Sequence, residues 1–257
     1  MKRLAAFAAV ILLGCAAPAQ AEKLVSSLSS HQVLITSSFT GTELVLFGSV
    51  ERDAATVARR GGYDLVVTVT GPKQTLVTRR KSRVFGIWTN TASRTFVDAP
   101  AYLSVLSNRA IDQITPRENA QKLGIGLANI SIPQQVGISV VPSQPDDTFR
   151  NALVRLREAH GLYREEANAV TFLTPNLFRA GIQIPAEAPL GTYEVDIKLF
   201  ADGTNLAQTT SALEIVKVGI EQYVANAARD HALLYGLATM FMALLTGWFA
   251  SVVFRKD

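Results

Sequence analysis

Cysteine is almost missing from this chain: the only one, Cys15, falls in an N-terminal segment that reads as a removable signal. Without it the mature protein holds no thiol, which excludes a disulfide framework and a thiolate metal site. Histidine is nearly as scarce, and His31, His160 and His231 lie too far apart in the chain to share any metal-ligand spacing. There is no Gly-x-Ser-x-Gly elbow, no phosphate loop and no dinucleotide fingerprint. Asp146-Asp147 and Glu165-Glu166 are the paired acids, and adjacent acids in a loop or helix start read as caps or a solvated face. The expectation is a protein that is not an enzyme and takes no cofactor and no metal. Internal repeats, low-complexity segments and a Ser/Gly-rich stalk are missing too. A strong charge of one sign is also lacking. Setting aside Lys2 and Arg3 at one end and Arg255, Lys256 and Asp257 at the other leaves 21 basic against 20 acidic residues. A neutral body has no field to draw in nucleic acid, whatever the whole-chain pI of about 9.3 suggests.

What is present begins with export and anchoring. Lys2 and Arg3, the apolar run Leu4 to Leu13, and Ala19-Gln20-Ala21 form the three parts of a secretory signal covering residues 1–21, with cleavage before Glu22. Leu12-Leu13-Gly14-Cys15 loosely resembles a lipoprotein box, so lipidation and loss with the signal both stay open for Cys15. A second apolar run, Ala232 to Phe254, carries no charge over 23 residues. As a helix it would span about 34 Å, enough for a hydrocarbon core of about 30 Å. Arg255 and Lys256 follow at once, and the positive-inside rule places them in the cytoplasm. The expected topology is a single-pass protein of the bacterial inner membrane, its ectodomain in the periplasm and its tail (255–257) cytoplasmic.

Between the two apolar runs, short alternating segments separated by Gly and Pro predict antiparallel strands. Those before residue 107 include Glu43 to Val50, Asp64 to Thr70, Thr75 to Arg79 and Arg83 to Trp88, with Trp88 a candidate core aromatic. Thr115-Pro116-Arg117-Glu118 reads as a capped helix start closed by Gly124. Later come a strand over Ser131 to Val141 and a helix capped by Asp146 or Asp147, with Phe149, Leu153 and Leu156 on one face. Alternating strands then pass through Phe178, Ile182, Val195 and Ile197, and Asp202-Gly203 makes a hairpin. In Gly191-Thr192-Tyr193 the tyrosine stands where a tyrosine corner would place it. The fold class expected is mainly β: two tandem immunoglobulin-like β-sandwich domains, 22–126 and 127–219 with a helical insertion, then a juxtamembrane helix over 220–231 and a transmembrane helix over 232–254.

Two sets of residues are candidate contacts. Arg79, Arg80, Lys81 and Arg83 form the densest charge cluster and are expected at a hairpin tip, where guanidinium groups could pair with a small anion, lipid headgroups or an acidic partner. Arg59-Arg60 could add to them. Ala243, Gly247 and Ser251 recur on one face of the apolar helix and would let another helix approach closely.

Phe39-Thr40-Gly41-Thr42-Glu43-Leu44-Val45-Leu46-Phe47-Gly48, Arg79-Arg80-Lys81 with Gly86-Ile87-Trp88-Thr89-Asn90, and Leu177-Phe178-Arg179-Ala180 carry a family resemblance, as do Leu234-Tyr235-Gly236-Leu237 and Leu245-Thr246-Gly247-Trp248. By these motifs the chain resembles the putative transmembrane protein family of Alphaproteobacteria over nearly its whole mature length. The resemblance implies no catalytic residues. It implies an accessory subunit beside a transporter of the sulfite-exporter type. The function expected is therefore an accessory or interaction subunit of a membrane or envelope complex, with a membrane or envelope protein as partner. The alternative is a periplasmic binding module for a small anion or envelope polymer.

Overall fold

Period-two burial builds most of this molecule. In the computed structural model, which describes residues 22–52 and 62–254, Phe178, Ala180, Ile182 and Ile184 are all buried while Leu177, Arg179 and Gln183, alternating with them, face out. The signal segment with Cys15, Arg59-Arg60 and the tail from Arg255 lie outside the described residues.

The strands are β1 (Glu22–Leu28), β2 (Gln32–Ile35), β3 (Gly41–Arg52), β4 (Asp64–Thr70), β5 (Lys73–Val84), β6 (Ile87–Pro100) and β7 (Leu103–Ser107). After two short helices, α1 (Ile111–Ile114) and α2 (Arg117–Lys122), come β8 (Pro133–Val136), β9 (Ser139–Pro142) and the helix α3 (Thr148–Ala159). The chain then adds β10 (Tyr163–Ala167), β11 (Val170–Phe172), β12 (Leu177–Pro185), β13 (Gly191–Ala201) and β14 (Thr204–Lys217), and ends in α4 (Ile220–Asp230) and α5 (Ala232–Val253).

Three sheets result, ordered β1-β3-β12-β11, β10-β7-β4-β13-β14-β2 and β5-β6-β8-β9. The first two share one hydrophobic core, to which Leu46, Val50 and Phe178 contribute from one side and Leu65, Val67, Val195 and Ile197 from the other. All five residues of β7 are buried, so this part of the sheet is covered on both faces. Ile114, Ile125 and Leu153, from the helical segments, join the same core.

The mainly β class with an apolar C-terminal helix is as expected, but the tandem arrangement needs correction. β3 pairs with β12 from Leu177↔Ser49 to Pro185↔Gly41, β4 pairs with β13, β10 lies parallel to β7, and β14 lies parallel to β2. Strands from both sides of residue 126 therefore alternate in the same sheets. Periodicity identifies a strand, but it carries no record of the partner.

Local signals fared better. Asp147 caps α3, its Oδ1 accepting from the backbone N–H of Phe149 at 2.7 Å and of Arg150 at 3.2 Å. Asp202 and Gly203 both take positive φ, at 50° and 78°, as a two-residue hairpin turn requires. Tyr193 is buried and donates to Pro189 O, four residues upstream, at 2.7 Å, the bond of a tyrosine corner. Thr115, by contrast, is not the N-cap of α2 but closes α1, its backbone N–H donating to Ile111 O. Pro116 holds the N-cap position of α2, and the Thr115 hydroxyl donates to Gly203 O at 2.8 Å. The strand expected over Ser131 to Val141 is a hairpin, β8 and β9, turned at Gly137.

Candidate interaction surface

The third sheet departs from the period-two rule that builds the rest. β5 and β6 form one long antiparallel ribbon. Its root is fixed by a cluster of tyrosines: Tyr163 Oη donates to Pro100 O at 2.7 Å, Tyr102 Oη donates to Gln183 O at 2.6 Å, and the rings of Tyr102 and Tyr193 lie 5.5 Å apart. Burial pushes the Tyr102 and Tyr163 hydroxyls up to about 12 and raises that of Tyr193 as well. Gly71 sits where no side chain fits, since a Cβ there would lie 2.9 Å from Tyr102 Cβ and 3.0 Å from Tyr193 Cε1.

Above the root, Phe96 is buried and Arg80 and Arg94 lie over the Phe149 ring of α3, at 6.0 and 5.7 Å from its centroid. A register shift follows at Arg80/Lys81, where Thr91 is the extra residue. Beyond this bulge the ribbon stands free: from Lys81 to Thr91 every residue but Ser82 is exposed.

The basic cluster is not the hairpin tip that its charge suggested. Arg79, Arg80, Lys81 and Arg83 lie within β5, and the tip is Phe85-Gly86, closed by the pair Val84↔Ile87. Alternation puts Arg79, Lys81 and Arg83 in a row on one face, with Trp88 directly across from Arg83. Arg80 turns the other way, onto Phe149. At about 6.6 Å between successive cations on the row, the four residues do not converge on a single small anion. Trp88 is no core residue either: it is 66% exposed.

The tip exposes apolar side chains on both faces, with Arg83 beside Trp88 on one of them. Val84 and Ile87 occupy one face, Trp88 the other, and Phe85 in the turn is fully exposed. Phe85 and Gly86 have φ of 49° and 84°, the two positive values of a type I′ turn. Phenylalanine is a poor occupant, since a left-handed conformation costs a residue with a Cβ roughly 1 kcal/mol. Alongside runs the β8–β9 hairpin, joined to β6 at Thr95↔Gln135 and Phe96↔Gln134, so that its turn points the same way along the ribbon. It carries no charged residue, and Val136, Ile138 and Val140 are exposed on it.

Other features hold less chemistry. A cleft of about 570 Å³ between α1, α2 and β10 is lined by Ile111, Ile125, Asp112, Arg117 and Glu165. Its Glu165 carboxylate accepts from Leu127 N at 2.8 Å. Arg150, which the sequence did not single out, is 3% exposed and donates to Leu127 O, Ala128 O and Ile130 O at 2.9–3.1 Å, fastening that loop to α3. Burial lowers its pKa, while Tyr163 and the Asp147 carboxylate pull the other way. His160 lies 3.5 Å from Glu187 and His31 Nδ1 lies 3.3 Å from Ala212 O, while His231 marks the break between α4 and α5. Among the described residues no cluster of His, Cys, Asp and Glu could hold a metal ion. α5 is the one described helix long and apolar enough to cross a membrane, and Ala243, Gly247 and Ser251 are exposed along it.

Residues 23–256 match a family described as "Putative transmembrane protein (Alph_Pro_TM)". No curated protein matches. Among solved structures, the N-terminal domain of the Streptococcus gordonii adhesin Sgo0707 is similar with a TM-score of 0.28 and 8% identity, over 76% of this chain and 32% of that one. The chain thus spans about a third of that structure's length, and a likeness at this level bears on neither fold nor function.

Proposed function

Because the chain belongs to the Alph_Pro_TM family of transmembrane proteins over residues 23–256, we propose that it is a non-enzymatic single-pass protein of the inner membrane. Its ectodomain works in the periplasm as an accessory or interaction subunit of a membrane or envelope complex, a transporter among the candidates. The observation that carries this reading is the division of labour along the chain. A β body with a closed core is followed by only an 11-residue helix before α5, so the body stands near the bilayer, and its most exposed apolar side chains lie on the β5–β6 ribbon and the adjoining β8–β9 hairpin. Arg255 and Lys256 after α5 favour a cytoplasmic tail, and the three-part segment 1–21 favours export by a removable signal. The binding-module alternative has less support, because Arg79, Lys81 and Arg83 form a row and Arg80 faces away.

The test has two arms. A reporter active only in the periplasm should work when fused after Gly219 and fail when fused after Asp257; equal activity at both sites would remove the single span. In mild detergent the chain should bring down a stoichiometric membrane protein. Gly247→Leu keeps α5 apolar and long while blocking close helix approach, so it should lower the yield of that partner and leave the amount of membrane-inserted chain unchanged. Equal recovery with both forms would leave α5 as an anchor only.

A further inference from the structure

From Lys73 to Val97 the ribbon contains six cations, Lys73, Arg79, Arg80, Lys81, Arg83 and Arg94, and no carboxylate; the first acid is Asp98. In a body otherwise close to neutral, this is a concentrated positive field. It is also sorted along the ribbon axis. The turn, Val84, Ile87 and Trp88 form an end about 7 Å deep whose one cation, Arg83, stands across from Trp88 and donates from Nε to Gly86 O at 3.1 Å, and Lys81 and Arg79 follow behind it. We infer that the β5–β6 tip is a second membrane contact, inserting Phe85, Ile87 and Trp88 into the interfacial zone of a leaflet rich in acidic lipid while Arg79, Lys81 and Arg83 pair with its phosphates.

Three observations favour a lipid surface over a protein partner. Exposed apolar side chains stand on both faces of the end, Val84 and Ile87 on one and Trp88 beside Arg83 on the other, as partial immersion in a surrounding medium requires, whereas docking on a protein needs only one. Along the ribbon axis the apolar turn comes first, then Trp88 level with Arg83, then Lys81 and Arg79 among neutral polar residues, an order that matches a bilayer normal with tryptophan and long basic side chains at headgroup level. The 7 Å depth falls within the roughly 5–10 Å to which interfacial elements sink, and a two-stranded ribbon with open edges cannot go deeper without stranding backbone N–H and C=O groups.

The topology supplies the nearness. Pairing of Glu194 with Thr70 and of Gly191 with Ile215 brings the ribbon root and the exit of β14 to the same end of the central sheet, and a Cβ on Gly191 would lie 3.3 Å from Pro72. α4 and α5 leave from that end. The inference rests on the anchored reading above, and once α5 is inserted the tip meets the leaflet at high effective concentration.

The chain has two tryptophans, so each contact can be read separately. The full-length protein is reconstituted in phosphatidylcholine vesicles with or without phosphatidylglycerol, some containing brominated acyl chains. In a Trp248→Phe chain, Trp88 emission should shift to the blue and be quenched by brominated lipid only where phosphatidylglycerol is present. Arg79→Gln with Lys81→Gln should weaken this docking roughly twenty-fivefold, about fivefold per cation. Trp88 remaining water-exposed in both kinds of vesicle overturns the inference, as does burial of Trp88 only after membrane proteins are added back, which would assign the tip to a protein. In a Trp88→Phe chain, Trp248 should be quenched in either vesicle. If it is not, the anchored reading fails and the inference falls with it; if it is quenched while Trp88 stays exposed, only the inference fails.

Discussion

The central sheet and the β5–β6 ribbon are continuous in the chain yet follow opposite rules. In β13, Tyr193, Val195, Ile197 and Leu199 are wholly buried, and the Tyr193 hydroxyl has a backbone partner. Ten residues past the end of β4, the ribbon leaves its bulge and exposes Val84, Phe85, Ile87 and Trp88 together. Both are strands of high β-propensity. The difference is cover: the sheet has a layer on its faces, and the ribbon tip has none. Alternation in a sequence thus reports which residues share a face, and it leaves open whether anything packs on that face.

The contrast can be pressed hardest with alkali. With folded-state pKa values raised by burial to about 12 for Tyr102 and Tyr163, and raised for Tyr193, the folded protein holds protons that the unfolded chain releases near 10. Their contribution is whole below pH 10 and is lost as pH climbs from 10 toward 12, on the order of 2 kcal/mol per tyrosine. Denaturant midpoints measured across that window should fall steeply, and a flat profile would separate the tyrosines from the root's stability. Next in size is Phe178→Ala, which empties a fully buried site and should cost about 4 kcal/mol in chemical denaturation. Tyr193→Phe removes only the corner bond and should cost about 1–2 kcal/mol; an unchanged midpoint would reduce Tyr193 to a packing residue. Smallest, and opposite in sign, is Phe85→Asn. Asparagine suits the left-handed turn, so stability should rise by about 0.5–1 kcal/mol while vesicle docking of Trp88 weakens. A loss of stability there would mean that Phe85 packs against something in the folded chain.

Much of the local structure was legible because its causes are local. The Asp147 cap, the Asp202-Gly203 turn, the Tyr193 corner and the alternation through Ile182 and Ile197 each depend on residues within a few positions. The pairing of Phe178 with Gly48 was not legible, and neither were the two parallel pairings, because nothing near Phe178 encodes a partner so distant in the chain. Arg150 escaped notice for the same reason: its three carbonyl acceptors lie 20 or more residues away. Of the candidate surface, charge drew attention to Arg79, Arg80, Lys81 and Arg83 but misplaced them at the turn. A Phe85-Gly86 pair flanked by Val84 and Ile87 was the available hairpin signal, and the run without a carboxylate from Lys73 to Val97 was the second.

The position of β4 has a consequence for how the chain is made. Its neighbours in the sheet are β7 and β13, and Asp64 meets Phe200 only once nearly all of the β body has been synthesised. At about 5–20 residues per second, one edge of β4 waits on the order of ten seconds for its partner. Throughout that interval Leu65, Val66 and Val67 form an uncovered β-edge of the kind that seeds aggregation. α4 and α5 follow β14 directly, so the sheet can close only shortly before α5 is made. A truncated chain that stops before β13 would leave β4 without its partner for good, a substrate for holding chaperones and proteases.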